Sequence, residues 1–311
     1  MSPYDRDTTA TQLVNDYASL IKDKVVLTTG VSPNSLGGFF VQAIAKAKPS
    51  FLILAARNSS KAQQTAQEIF AAEPEVKIRT LQLDLGSFTS VRKAADQVKS
   101  WDDIPVIDVL VNNAGIMAPE YQVSEDGFES QFATNHLGTF LLTNLIMKKI
   151  LASQSPRVVM VSSDGDRLNP FRFDNYNFDS GKTYNKWYAY GQSKTANMLM
   201  AISLAEKLAD HLDMDFDFDG LRAADKTLGN REGWGDFEAK SLDQGVATHV
   251  YAAFDPDLKG MLTTASYLID CRLGDPLSDT IKPWATSSLE ARKLWDLSEK
   301  SLLVRSSLTS L

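Results

Sequence analysis

The chain has 311 residues, 43% of them hydrophobic and 23% charged, with 39 acidic residues against 32 basic and a formal net charge of -7. Those proportions belong to a globular protein that can bury a sizeable core, and the acidic balance speaks against a protein that tracks a phosphate backbone, so nucleic acid is not an expected partner. One cysteine, Cys271, excludes an intrachain disulfide and a thiolate metal site; His136, His211 and His249 stand too far apart for the usual metal spacings, and no metal is expected.

Residues 1–24 mix Asp, Thr, Asn and Lys without an apolar run and read as neither signal peptide nor membrane anchor. The longest apolar stretch, 137–151, contains Asn144, Lys148 and Lys149 and falls short of the roughly 20 residues a membrane span needs. A cytoplasmic protein without a membrane partner is the expectation. Strand candidates 25–29, 51–56, 77–83, 106–111 and 157–162 are mostly apolar, as strands covered on both faces should be. Between them, 39–47, 60–72, 87–98 and 128–151 carry apolar residues at helical spacing. This alternation predicts an α/β fold, a Rossmann-like doubly wound parallel sheet in a single domain. Its expected limits are 24–285, with an N-terminal extension over 1–23 and a helical tail over 286–311.

The segment from Thr28 to Gly38 follows the first strand and opens a helix, where backbone N–H groups and the helix dipole can hold a pyrophosphate. Its spacing is not G-x-G-x-x-G, and a glycine turn that merely reverses the chain has the same composition. The second strand ends at Arg57, where an NAD-selective domain commonly carries an acidic residue. A planar, always charged guanidinium there, helped by Lys61, suits a 2′-phosphate and points to NADP. A solvated arginine at a strand end is the plain alternative.

Tyr190 and Lys194 are four residues apart in a strongly helical segment and therefore share one helix face. A phenol is a poor acid at neutral pH, and a nearby ammonium favours its ionised form. Further motifs occur in order: Asp84-Leu85 after the third strand, Asn112-Asn113-Ala114-Gly115 after the fourth, Asn135 in a long helix, and Ser162-Ser163 ending the fifth. With these residues the chain resembles the short-chain dehydrogenase/reductase family over most of 24–209, and within it a retinol-dehydrogenase-like branch with fungal members active in specialised metabolism.

The resemblance implies roles. Tyr190 is the proton donor to a carbonyl oxygen, Ser163 the hydroxyl that orients that oxygen, and Lys194 the cation that lowers the tyrosine pKa and holds the nicotinamide ribose. Asn135 holds a water that relays protons. Gly30, Ser32, Leu36 and Gly37 line the phosphate turn, which has one residue more than the family pattern and no middle glycine, since Asn34 and Ser35 stand there. Asp84 and Leu85 lie near the adenine, and Asn112, Asn113, Ala114 and Gly115 run along the adenosine ribose and the floor of the sheet, one asparagine being structural.

Ser163 and Tyr190 are separated by a long insertion containing the aromatic run 171–178, which either stacks on a substrate or anchors its own loop. After the catalytic helix the family continues with a sixth strand and a Pro-Gly turn followed by Thr. This chain has no proline between Pro170 and Pro256, and that segment is missing. The run Asp213–Asp219 alternates acid with apolar residues and reads as a solvated or makeshift strand. As a calcium loop it would put Lys226 where a bidentate carboxylate belongs. Residues 287–303 predict a helix packed on the domain or on a partner subunit, compatible with a homo-oligomer. The leading expectation is an NADPH-dependent reductase of a small-molecule ketone or aldehyde, or the corresponding alcohol dehydrogenase. The rival is a catalytically impaired NADP-binding protein.

Overall fold

Runs of aliphatic and β-branched residues form one parallel sheet: β1 (Val25–Thr29), β2 (Phe51–Ala56), β3 (Ile78–Gln82), β4 (Val109–Asn112) and β5 (Arg157–Met160), in the order β3-β2-β1-β4-β5. The computed structural model describes residues 3–209, 240–261, 266–274, 279 and 281–302. Alternate side chains leave the sheet on opposite faces, so Leu27, Ile53 and Leu110 enter one core while Val26, Leu52, Leu54 and Val109 enter the other. The first core is closed by α5 (Phe88–Lys99), α6 (Gly138–Leu151), α7 (Lys186–Ala209) and α9 (Ser288–Leu302). The second is closed by α1 (Ala10–Asp16), α3 (Leu36–Ala45), α4 (Ser59–Ala72) and α8 (Leu242–Phe254), with the short α2 (Ala18–Ile21) beside α1. Strand order reverses between β1 and β4, and the crevice beyond the carboxyl ends of these two strands is where an open α/β sheet binds its ligand.

Local chemistry sets where the helices start. Ser35, Asn58 and Ser87 follow β1, β2 and β3, and the side-chain oxygen of each accepts a backbone N–H of the first turn of α3, α4 and α5. The predicted helix over 128–151 divides: Phe132–Leu137 is a π-helical turn and α6 starts only at Gly138. Gly138 is required by packing, because a Cβ there would lie 2.0 Å from the Leu85 carbonyl oxygen. Gly138→Ala is expected to destabilise the fold by about 2–4 kcal/mol, measured by urea denaturation, since backbone rather than a flexible side chain must move.

The first and last described segments are packed on the domain. In the N-terminal extension the Thr11 amide and hydroxyl both donate to Asp243 on α8, and Tyr17 bonds Asp255. Helix α9 lies on its own chain: Trp295 meets Phe140 of α6 edge to face at 4.6 Å, and Ser298 bonds His136.

Among the described residues β5 is the last strand of the sheet. Leu268–Ile269 pairs antiparallel with Arg272–Leu273 and not with the parallel sheet. A cavity of about 910 Å³ runs along β5 between α7 and α8, lined by Val158, Met160, Ile202, Ala205, Thr248 and Leu268. The segment Asp213–Asp219 and Lys226 lie outside the described residues, as does His211.

Candidate active site

At the end of β1 the chain turns through Gly30, whose φ of +77° favours glycine and whose Cβ would meet Ala114 Cα at 2.8 Å. Asn34 stands where a further glycine was expected and adopts the left-handed conformation itself, with φ 59°, which asparagine tolerates better than most residues. Ser35 completes the turn. Its hydroxyl accepts from the Ser32 and Gly38 amides at 3.2 and 3.1 Å and bonds the Ser32 carbonyl oxygen at 2.7 Å. Leu36 and Gly37 form the first turn of α3, Leu36 exposed and Gly37 against the Asn113 amide. The extra residue is thus absorbed by a capped loop, and the first N–H groups of α3 face the crevice end of β1 as an anion site requires.

The Gly30 amide donates to Ala55 O at 2.8 Å, which puts the end of β2 beside the turn. Arg57 follows there, exposed and without an ion-pair partner among the described residues, and Lys61 is exposed on the first turn of α4. Asp84 accepts from the Gly86 amide at 2.9 Å and Leu85 is buried against α6. Beyond β4, Asn113 is the structural asparagine: its side-chain amide donates to Thr29 O at 2.9 Å, while the Asn113 and Ala114 amides both donate to the Thr29 hydroxyl. Asn112 is buried and bonds Thr143 of α6 at 3.1 Å. Gly115 leaves room beside Lys194, since a Cβ there would stand 3.5 Å from its Nζ.

Tyr190, Lys194, Ser163 and Asn135 come together. Ser163 Oγ and the Tyr190 ring both flank Gly165, where a Cβ would stand 3.4 Å from the one and 2.6 Å from Cε1 of the other, and Lys194 Nζ lies 5.7 Å from the centre of the tyrosine ring. Lys194 is buried; burial pushes its ammonium down to about 8, and it donates to Val161 O at 3.2 Å with no other hydrogen-bond partner among the described residues. The Tyr190 phenol departs from the sequence expectation. It sits above its ordinary value, because burial raises it more than the Ser163 hydroxyl lowers it, and at this separation the buried lysine does not reverse the balance.

Asn135 lies in the π-helical turn, a feature frequent at functional sites. Its Oδ1 accepts from the Ile116 amide at 2.8 Å, and its Nδ2 donates to Ile116 O and to the Ser193 hydroxyl, both at 2.9 Å. Both amide hydrogens are therefore committed, and only the second lone pair of Oδ1 is left for a water. The aromatic insertion anchors itself. Phe171 and Phe178 are buried, and Phe171 and Tyr176 pack on Phe132 at ring separations of 5.0 and 5.5 Å.

Several buried polar residues of the site have no motif to announce them. Glu129 is fully buried and accepts from the Gln131 and Phe132 amides, starting the helix that carries Asn135, while Gln131 ties Ala118 to Lys186 O. His136 stacks on Phe132 at 5.6 Å, and complete burial pushes it down to about 3. The unfolded chain binds this proton below about 6.5 and the folded chain does not, so stability is lost as the pH falls from 6.5 toward 3. Urea titrations at pH 7 and pH 5 should show His136→Gln losing less stability than the parent protein over that interval.

Among the described residues no group of three or more His, Cys, Asp or Glu side chains could hold a metal ion, and no helix is long and apolar enough to cross a membrane. The short chain dehydrogenase family model matches residues 24–212. The chain belongs to this family. It is 36% identical over 266 residues to the short-chain dehydrogenase TIC 32 B, chloroplastic, of Brassica napus, covering 80% of both chains. It is 35% identical to the short-chain dehydrogenase/reductase prx1 of Penicillium rubens, covering 96% of this chain and 92% of that one, and 32% identical to human retinol dehydrogenase 14, covering 90% and 86%. The prx1 alignment extends over 332 positions, longer than the 311 residues available, so it has to be opened by gaps in this chain. A crystal structure of a protein from Mycobacterium paratuberculosis superposes with a TM-score of 0.66 at 28% identity, over 93% of this chain and 97% of that one. A short chain dehydrogenase from Escherichia coli in complex with NADPH shares the fold, with a TM-score of 0.55 at 20% identity over 78% and 95%. The family's oxidoreductases act on CH-OH and C=O groups with a nicotinamide cofactor, and the glycine turn and the donors of the buried lysine fit such a cofactor.

Proposed function

We propose that this protein is an NADPH-dependent reductase of a ketone or aldehyde, or the corresponding alcohol dehydrogenase, with a small-molecule substrate from specialised metabolism. The observation that carries the reading is the meeting of the Tyr190 ring and the Ser163 hydroxyl at Gly165 beside a buried lysine, at the crevice end of a β3-β2-β1-β4-β5 sheet. Arg57, beside the phosphate turn and without an ion-pair partner among the described residues, supports NADPH over NADH.

The residues present fit the cofactor. The α3 amides would hold the pyrophosphate, Arg57 and Lys61 the 2′-phosphate, Asp84 and Leu85 the adenine side, and Lys194 the ribose hydroxyls, which would satisfy donors now unused. NADPH when bound supplies the hydride. Tyr190 gives its proton to the carbonyl oxygen, and the Ser163 hydroxyl orients that oxygen and stabilises the charge that develops on it. Lys194, carrying charge near pH 8, holds the ribose and favours the tyrosinate left by the transfer, and Asn135 keeps the loop at Ile116 against the catalytic helix.

A second reading, a nucleotide-binding protein of weakened activity, is favoured by the outer edge of β5, which pairs with no further strand among the described residues, and by the gaps that the prx1 alignment needs. NADPH oxidation measured with a panel of aromatic and polyketide-like ketones separates the two. Turnover supports the enzyme, and tight nucleotide binding without turnover supports the rival.

A further inference from the structure

Ser162, the first of the two serines that follow β5, has no part in the reaction above, yet its hydroxyl is committed. It donates to the backbone carbonyl oxygen of Lys194 on α7 at 2.9 Å. Two further side chains cross the same gap in the opposite direction, since Lys194 Nζ and Asn197 Nδ2 donate to Val161 O at 3.2 and 3.4 Å. Three bonds therefore hold residues 161–162 against α7, and that of Ser162 is the shortest. Satisfying the acceptor does not require it. Lys194 lies well inside the 24-residue helix, where the amide four residues on supplies its ladder bond, so the hydroxyl takes the second lone pair of an oxygen already served.

The bond sits where the reacting groups meet. Ser163 is the next residue on the strand side, and Lys194 follows Tyr190 by one turn on the same helix face. Helix and serine turn are in close contact beyond it, because a Cβ on Gly191 would stand 2.8 Å from the Asn169 amide nitrogen and 3.0 Å from Gly165 O. Of the three bonds, one is made by the group that the proposed mechanism turns toward the ribose, and another is the longest. Ser162 is left as the side chain that fixes the spacing.

We propose that Ser162 is a positioning residue for the reaction: its hydroxyl pins the catalytic helix at Lys194 to the strand end that carries Ser163, and so sets the separation of Ser163 from Tyr190. This rests on the reductase reading above. The deciding comparison is Ser162→Thr with Ser162→Val, two β-branched side chains of similar shape of which only threonine keeps the hydroxyl donor. Ser162→Thr should keep kcat within about threefold of the parent. Ser162→Val should lower kcat about tenfold with KM for the carbonyl substrate changed less than threefold, because a shifted helix misplaces the acid without removing a binding contact. A bond that served stability alone would lower the urea midpoint of Ser162→Val and leave kcat untouched. Ser162→Ala adds no volume and repeats the comparison should the valine protein fail to fold.

A second readout needs neither turnover nor cofactor. The ring carbon-13 resonance of Tyr190, assigned with Tyr190→Phe, should coincide in the parent and Ser162→Thr and be displaced in Ser162→Val and Ser162→Ala. Parental kcat in the valine and alanine proteins, or an unmoved Tyr190 resonance in both, overturns the proposal. So does a threonine protein as impaired as the valine one, since shape and not the hydroxyl would then decide. A parent protein inactive on every carbonyl tested overturns the reductase reading alone, because the Tyr190 resonance still reports whether the hydroxyl places the helix.

Discussion

Tyr190→Phe should lower kcat for carbonyl reduction by about 10²–10⁴-fold, the range over which one positioned acid contributes, while the Kd for NADPH stays within about threefold. The substitution removes only the phenol oxygen, and Ser163 keeps the Gly165 amide as a partner at 3.1 Å, so the serine turn has no reason to move. Lys194 is held by Val161 O and not by the phenol, so the donors expected to meet the ribose stay in place. Stopped-flow absorbance for the chemical step and fluorescence titration of NADPH for binding measure the two quantities separately. Parental turnover in Tyr190→Phe would remove the assignment of the acid and with it the proposed mechanism.

The second large effect concerns cofactor choice. Arg57→Ala should raise the Kd for NADPH by about 10–100-fold, the loss of one charge-assisted contact of roughly 1.5–3 kcal/mol, and leave the Kd for NADH unchanged. Arg57 makes no ion pair among the described residues, so its removal leaves no stranded partner and the change reads phosphate contact alone. Lys61→Ala should act in the same sense and more weakly, because a flexible ammonium on the first turn of α4 offers a point charge and not a fork. Equal titration curves for the parent and Arg57→Ala would mean that another group reads the phosphate.

Predictions for strands and helices made from period alone agree closely with what folds. The strands 25–29 and 51–56 have the predicted limits, and the fifth begins at Arg157 as expected but ends two residues earlier, because beyond Met160 the chain runs past β4, its one neighbour among the described residues. Helix α3 begins three residues before its apolar pattern because Ser35, not a hydrophobic residue, starts it. The division at Gly138 was not legible: the apolar spacing of 128–151 continues unchanged through the π-helical turn, and the break comes from Glu129 capping two amides and from the Leu85 carbonyl lying against the helix.

Sequence by itself singled out the residues proposed to carry the chemistry, Ser163, Tyr190, Lys194 and Asn135, through their resemblance to the family's motifs, and the four-residue spacing of Tyr190 and Lys194 places those two on one helix. It determined the doubly wound architecture too, through apolar runs that only a sheet covered on both sides accommodates. Tertiary structure decided the rest. The asparagine that braces β1, the tyrosine that stays above its ordinary pKa and the aromatics that serve the core all owe their roles to burial and to partners more than ten residues away. Desolvation and long-range hydrogen bonding are properties of the space a residue enters, and no local spacing encodes them.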